Sequence, residues 1–216
     1  MENTTLDEID GPKSGAGLDY VTPPFLVAAV GASAGGLEAF SKLLANIPAG
    51  SKLALVLVQH MSRTQPSLLP EILARRTALR VELAHDGQTV EFGHVYVIPP
   101  DTHMTVIDGH LRVRPRPEGH WSVQVDALFR SVAEFYREKS VGVVMSGALS
   151  DGAEGFRAIR AAGGVTIAQQ PEEAQTESMP RAAIATGDVD MILPADAIGE
   201  ELLRLAELPR FKEQPK

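Results

Sequence analysis

The segment at residues 25–40, FLVAAVGASAGGLEAF, constrains this chain more than any other part of it. Residues 25–30 form an apolar run rich in Val and Ala, glycines and small residues follow, and apolar residues then recur at helical spacing. This pattern predicts a buried strand, a tight glycine turn and an amphipathic helix. Ser33 lies in the turn, where glycines permit strained backbone angles and helix amides favour negative charge. Ser33 is therefore a candidate nucleophile, and its neighbours Ala34 and Gly35 are candidates for binding an oxyanion.

The composition is typical of one α/β domain with an aliphatic core. The chain has 216 residues, of which 44% are hydrophobic and only 5% aromatic, and this suits a parallel sheet packed between helices. Cysteine is absent, which excludes disulfides and thiolate metal sites. The formal net charge of −8 argues against a nucleic-acid partner.

The terminal segments and the apolar runs predict the cellular location of the protein and the bounds of its domain. The N-terminus has no basic start followed by an apolar stretch, so it is not a signal peptide, and the longest apolar runs are too short to span a bilayer. We therefore expect a cytoplasmic protein without membrane insertion. Residues 1–24 are polar and acidic and predict a flexible tail, residues 25–208 predict the domain, and residues 209–216 predict a C-terminal tail.

Strand and helix patterns alternate along the domain. This alternation predicts a doubly wound, mainly parallel sheet flanked by helices. Asp108-Gly109 between two alternating runs predicts one antiparallel hairpin over residues 102–113. Other strands are predicted at residues 25–30, 53–58, 80–84, 95–98, 141–145, 165–168 and 191–193, and helices at about 66–76, 125–139, 179–186 and 194–207, with one more ending at 162.

Three side chains that can act together in acyl transfer follow predicted strands. Ser33 follows the first strand, His60 the second, and Asp151 lies in the loop after the strand at residues 141–145. Ligands of open α/β sheets bind beyond the carboxyl ends of the strands. A serine hydroxyl needs a base to take its proton, and a histidine acts as that base when a carboxylate holds its tautomer. The sequence therefore predicts a nucleophile, a base and an acid at one edge.

Each of these residues also has a simpler interpretation. The glycine turn resembles a degenerate phosphate-binding fingerprint, although no acidic residue ends the second strand, where His60 stands instead. His60 alone is equally compatible with a structural histidine, and Asp151 alone with a cap on the helix that follows it. The other histidines lack His-Glu-x-x-His or similar spacing, so the sequence predicts no metal and no cofactor.

Several separated motifs together resemble one known family. They are Gly31-Ala32-Ser33-Ala34-Gly35-Gly36, Gln59-His60-Met61, Val123-x-x-Asp126-x-Leu128-Phe129-x-Ser131, Ser150-Asp151-Gly152-Ala153-x-Gly155, Ala168-Gln169 and Met179-Pro180. In this order and spacing they resemble the catalytic domain of the chemotaxis protein-glutamate methylesterases, the CheB family, over essentially all of residues 25–208. The resemblance implies a doubly wound α/β fold distinct from the usual α/β-hydrolases.

The resemblance also implies an activity. The family's serine, histidine and aspartate triad falls on Ser33, His60 and Asp151. The implied reaction is hydrolysis of glutamate methyl esters on the cytoplasmic helices of chemoreceptors, and many members also deamidate selected receptor glutamines. The implied partners are the helical bundle of a methyl-accepting chemoreceptor and other chemosensory proteins.

One loop departs from the family pattern. The family's Thr-Gly-Met-Gly-x-Asp stretch here reads Ser146-Gly147-Ala148-Leu149-Ser150-Asp151. In the family the methionine position helps to bind the oxyanion; Ala148 keeps the backbone N–H, whereas Leu149 replaces a glycine. These features, with Pro171-Glu172, resemble the methylesterase modules fused to methyltransferases. The alternative is a signalling or adaptor module that keeps the fold but has weakened turnover.

Overall fold

A seven-stranded parallel sheet and a separate hairpin form the framework of the protein. The structure is a computed structural model that describes residues 23–60, 68–116 and 123–208. The strands are β1 (Leu26–Ala32), β2 (Leu53–Gln59), β3 (Arg80–Leu83), β4 (His94–Val97), β5 (Thr102–Ile107), β6 (His110–Pro115), β7 (Ser140–Val144), β8 (Val165–Gln169) and β9 (Met191–Leu193). The helices are α1 (Gly36–Leu44), α2 (Leu69–Ala74), α3 (Gln124–Tyr136), α4 (Gly155–Ala161), α5 (Ser178–Ala185) and α6 (Ala195–Ala206).

The order of the strands places three of them around a reversal in the sheet. The order is β3-β4-β2-β1-β7-β8-β9, and all of these pairings are parallel. From β1 the chain builds the sheet toward one edge and then returns to β7, on the other side of β1. The carboxyl ends of β1, β2 and β7 therefore border a topological switch point, where ligands bind in sheets of this kind.

Side chains that alternate along β1 belong to two cores, one on each face of the sheet. Leu26, Ala28 and Val30 pack in the core that α1, α2 and α6 cover. Val27 and Ala29 pack in the core that α3, α4, α5 and the hairpin cover. Because both faces are covered, β1 is buried along its whole length, and this explains why its sequence is continuously apolar rather than alternating.

The predicted fold class is confirmed, and so is the hairpin. Strands β5 and β6 pair antiparallel in a sheet of their own, and β6 continues to Pro115, beyond its predicted end. Asp108 and Gly109 both have positive φ, at 51° and 74°, as the tight turn of a two-residue hairpin requires.

Two boundaries differ from the sequence prediction for physical reasons, and others lie outside the described residues. Helix α3 ends at Tyr136 because Arg137 has a φ of 51°, and a short 3₁₀ helix follows. Gln169, predicted to begin a polar loop, is buried in β8 because its side chain accepts a hydrogen bond inside the protein. The predicted start of α2 near Pro66 lies outside the described residues, as do the predicted tails except for Pro23 and Pro24.

Helix α3 crosses β1 at very close range. A Cβ atom on Gly31 would lie 2.3 Å from Cγ1 and 2.6 Å from Cγ2 of Val125, so only glycine fits beneath the start of the helix. Because a valine side chain is stiff about χ1, it has little freedom to move aside. This contact sets how near the first turn of α3 comes to the carboxyl end of β1.

We expect Gly31→Ala to lower the free energy of unfolding by about 1–3 kcal/mol, the usual cost of overpacking a core. Urea denaturation measures this loss. Val125→Ala alone also destabilises the protein, but the double variant should lose less than the sum of the two single variants because the two shortest clashes, with the Val125 Cγ atoms, are gone. Additive losses would contradict the close approach of α3 to β1.

Candidate active site

Ser33 and His60 lie side by side where two adjacent parallel strands end. Ala32 of β1 is in register with Gln59 of β2, and the His60 amide donates a hydrogen bond to the Ala32 carbonyl at 3.2 Å. Ser33 and His60 directly follow these paired residues, and both line the same cleft. The two predicted residues are thus brought together by strand register alone.

Asp151 reaches His60 from the far side of the sheet reversal. His60 Nε2 and Asp151 Oδ2 are 2.8 Å apart, although the two residues are separated by 91 positions in the chain. The Asp151 side chain is fully buried, and the His60 side chain is 14% exposed. Since Asp151 occupies Nε2, Nδ1 is the ring nitrogen left for another partner.

The carboxylate of Asp151 is also bound by the first turn of α3. Its Oδ2 accepts a hydrogen bond from the Val125 amide at 2.9 Å, and its Oδ1 accepts one from the Asp126 amide at 3.0 Å. Amides at a helix N-terminus carry a partial positive charge, which stabilises a buried carboxylate. Asp151 therefore caps a helix, but that helix is α3 rather than α4, which follows it in the chain.

Asp126 links α3 to α4 through a hydrogen bond. In the sequence, only its place in the motif that begins at Val123 marks this residue. Its Oδ1 accepts a hydrogen bond from the Gly155 amide, the first of α4, at 2.6 Å. Burial raises the pKa of the Asp126 carboxyl, and the nearby charge of Asp151 acts in the same direction, against the lowering effect of the Gly155 amide. This hydrogen bond therefore connects the start of α3, which binds Asp151, to the start of α4, which follows Asp151 in the chain.

The turn that carries Ser33 is held by glycines and by backbone hydrogen bonds. The Ser33 amide donates to the Ser146 carbonyl at 2.9 Å, and Gly35 has a φ of 82°. Ala34 and Gly35 line the cleft, and across the described residues their amides have no hydrogen-bond acceptor. These two N–H groups are thus available to an oxygen atom bound beside Ser33.

The loop after β7 passes next to Ser33 but leaves Ala148 outside the cleft. A Cβ atom on Gly147 would lie 3.0 Å from Ser33 Cβ and 2.1 Å from Met179 Sδ, so a larger residue here would have to displace the Met179 side chain and would press on Ser33. Ala148 is exposed and is not among the residues that line the cleft. Leu149 has a φ of 71° and is 66% exposed.

Ser146 forms hydrogen bonds to three other parts of the chain, and no sequence motif indicates this role. Its buried hydroxyl donates to the Ala34 carbonyl at 2.7 Å and accepts from the Thr176 amide at 3.0 Å. Its own amide donates to Gln169 Oε1 at 2.8 Å. These contacts join residues far apart in the chain, so no local pattern could reveal them.

The cleft is much larger than Ser33 and His60 alone require. It has a volume of about 910 Å³. Besides Ser33, Ala34, Gly35 and His60, residues from α1 and from the end of α2 line it. Its further lining residues are Gly36, Leu37, Glu38, Ser41, Lys42, Ala45, Gln59, Ile72, Arg76 and Gln175.

The fold that brings these residues together is that of a known family of α/β domains, as comparisons with other proteins show. A model of the CheB methylesterase family matches residues 28–202. A crystal structure of the Thermotoga maritima CheB methylesterase catalytic domain superposes with a TM-score of 0.77 at 29% identity, covering 84% of this chain and 98% of that one.

Curated relatives agree with this assignment. Protein-glutamate methylesterase/protein-glutamine glutaminase 3 of Burkholderia thailandensis is 40% identical over 184 residues, which cover 83% of this chain and 51% of the relative. Protein-glutamate methylesterase/protein-glutamine glutaminase 1 of Myxococcus xanthus is 38% identical over 192 residues, which cover 87% of this chain and 56% of the relative. The chain belongs to the CheB methylesterase family, and it spans about half the length of the curated relatives it matches.

The described part of the chain contains no helix that is both long enough and apolar enough to cross a membrane.

We expect Ser146→Ala to impair both stability and turnover. The substitution leaves the Ala34 carbonyl and the Thr176 amide without a buried partner, which costs about 1–3 kcal/mol of unfolding free energy, and it loosens the turn that carries Ser33. Ser131→Ala is a matched control, since the Ser131 hydroxyl also joins two backbone groups, Val106 N and Leu128 O. Denaturation curves and ester hydrolysis would be compared; equal turnover in the two variants would contradict a role for Ser146 at the site.

We expect Asp126→Asn to gain stability relative to the wild type as the pH rises. The folded pKa of Asp126 lies above its ordinary value of 3.8, so its contribution to stability is full below that value and is lost as the pH rises through the folded pKa. Asparagine does not titrate and can still accept the Gly155 hydrogen bond. Urea denaturation from about pH 4 to pH 8 measures the difference between the two proteins; a difference independent of pH would be the contrary result.

Proposed function

We propose that this protein is a serine hydrolase that demethylates glutamate methyl esters on the cytoplasmic helices of chemoreceptors and releases methanol. The observation that carries the proposal is the 2.8 Å contact of His60 with buried Asp151, beside Ser33 at the adjacent strand end. The names of the relatives and the family match support the same chemistry.

The proposed first half-reaction forms an acyl-enzyme. His60 Nδ1 takes the proton of the Ser33 hydroxyl as Oγ attacks the ester carbonyl, and the carbonyl oxygen becomes an oxyanion. The amides of Ala34 and Gly35, which line the cleft, are the proposed donors to this oxyanion. The Ala148 amide, the third candidate from the sequence, would have to reach the oxyanion from outside the cleft lining. As the C–O bond to the methoxy group breaks, His60 gives its proton to that group, and methanol leaves.

The proposed second half-reaction restores the enzyme. His60 takes a proton from a water molecule that attacks the acyl carbon, and then returns the proton to Ser33 Oγ as the free glutamate side chain departs. Asp151 keeps the other ring nitrogen protonated and stabilises the imidazolium that forms in each half-reaction. No metal or cofactor takes part in this proposed sequence.

One observation favours a glutamine amide as a second substrate. Gln59 lines the cleft, and within the described residues its buried Oε1 has no hydrogen-bond donor. A carboxamide can donate an N–H to such an oxygen, whereas a methyl ester cannot. The relatives are named glutaminases as well as methylesterases, and release of ammonia from the glutamine form of the receptor measures this activity.

The proposed setting of the reaction follows from the substrate. The esterified helices belong to the cytoplasmic bundle of a methyl-accepting chemoreceptor, so we place this protein in the cytoplasm, with that bundle and other chemosensory proteins as partners. Residues 25–208 are the proposed catalytic domain. The competing proposal, an adaptor with weakened turnover, draws on the altered loop at Ala148 and Leu149 and is tested by the same experiment.

We expect Ser33→Ala to abolish methanol release from a methylated receptor, and Asp151→Asn to lower kcat by about 10⁴-fold because the histidine tautomer is no longer held. Ser41→Ala is the control for the first variant, since Ser41 lines the same cleft on α1. A fluorophosphonate probe should label the wild type and the Ser41 variant but not the Ser33 variant. A wild type that neither labels nor releases methanol would favour the adaptor.

A further inference from the structure

The cleft offers far more room than one ester side chain fills. Its volume of about 910 Å³ lies near the upper end of the range of sites that enclose a whole small-molecule ligand, about 300–1,000 Å³. A single methylated glutamate therefore occupies only the end at Ser33 and His60. The remaining length must contact other parts of the substrate.

Helix α1 forms one side of the cleft, which we call the α1 wall. Leu37, Glu38, Ser41, Lys42 and Ala45 line it at positions that recur along one face of the helix. Helix α1 has nine residues, so this wall extends about 13 Å at 1.5 Å per residue. A substrate helix that lies along the wall would therefore place about two of its own turns in the cleft.

The part of the cleft that is lined from α2 contains a cation that has no ion-pair partner among the described residues. Ile72 and Arg76, four residues apart at the end of α2, line it. Glu38 and Lys42 neutralise one another across 3.0 Å on the α1 wall. Over the described ranges of the chain, no carboxylate lies within ion-pair distance of the Arg76 guanidinium. The described lining of the cleft thus presents one uncompensated positive charge, on a protein whose formal net charge is −8.

We propose that Arg76 selects the substrate by binding a carboxylate on the same helix as the methyl ester, within two turns of it. This inference rests on the proposed function and names which part of a receptor helix the cleft recognises. The planar guanidinium matches the geometry of a carboxylate and can bind it through two hydrogen bonds. The apolar wall residues Leu37, Ala45 and Ile72 accommodate the rest of the helix face.

The test compares two adjacent arginines in the full-length chain. Arg75 is exposed like Arg76 but does not line the cleft, so Arg75→Gln makes the same change of charge outside the proposed site. On a methylated receptor fragment, Arg76→Gln should raise KM about threefold to tenfold with little change in kcat. Its kcat/KM for the receptor should also fall relative to that for p-nitrophenyl acetate, which has no carboxylate to bind.

Two further readouts separate binding of a carboxylate from a structural effect. The KM of the wild type should rise with salt more steeply than that of Arg76→Gln, because salt screens the ion pair. Arg76→Glu should recover activity on a receptor in which one acidic residue within two turns of the ester is changed to lysine, and that residue identifies the bound position.

The possible failures are distinguishable. If the wild type releases methanol and the two glutamine variants have equal KM values, the role of Arg76 is overturned while the proposed function stands. If the wild type releases no methanol from any methylated receptor, the proposed function is overturned and the role of Arg76 with it.

Discussion

The buried carboxylate of Asp151 is the group on which the geometry of the site depends. A fully buried carboxylate is costly unless hydrogen bonds compensate for lost water, and here three donors from two parts of the chain surround it: His60 and the first amides of α3. The same atoms that make the carboxylate tolerable in the interior also orient the histidine. Stability and chemistry therefore place the same demands on this residue.

The donors reach Asp151 only because the backbone packs unusually closely around the site. Gly31 allows the start of α3 to lie against β1, and Gly147 allows the loop after β7 to pass between Ser33 and Met179. Each glycine serves a close approach rather than a turn, since a side chain at either position would collide with a neighbour. Three loops of different origin can thus converge on a small volume at the sheet reversal.

Local patterns predicted the parts of this arrangement that are local in sequence. The apolar run and glycine turn before α1 predicted the position of Ser33, the Asp108-Gly109 turn predicted the hairpin, and strand alternation predicted that Ser33 and His60 would share an edge. The residues that these patterns do not identify act through hydrogen bonds to distant parts of the chain. Ser146 and Asp126 act through partners about thirty residues away, and neither has a neighbouring residue that marks its role. For the same reason, the local pattern around Asp151 indicates a cap on α4, whereas its carboxylate binds the first turn of α3.

The residues of the site lie far apart in the sequence, and this affects when the site can form as the chain is synthesised. Ser33 and His60 are translated before Asp151, which follows His60 by 91 positions, and β7 must pair with β1 before the loop that carries Asp151 is in place. A growing chain on the ribosome holds the serine and the histidine for some time with no aspartate to orient them. The site can be complete only after β7 has paired with β1, when the second half of the sheet has closed onto the first.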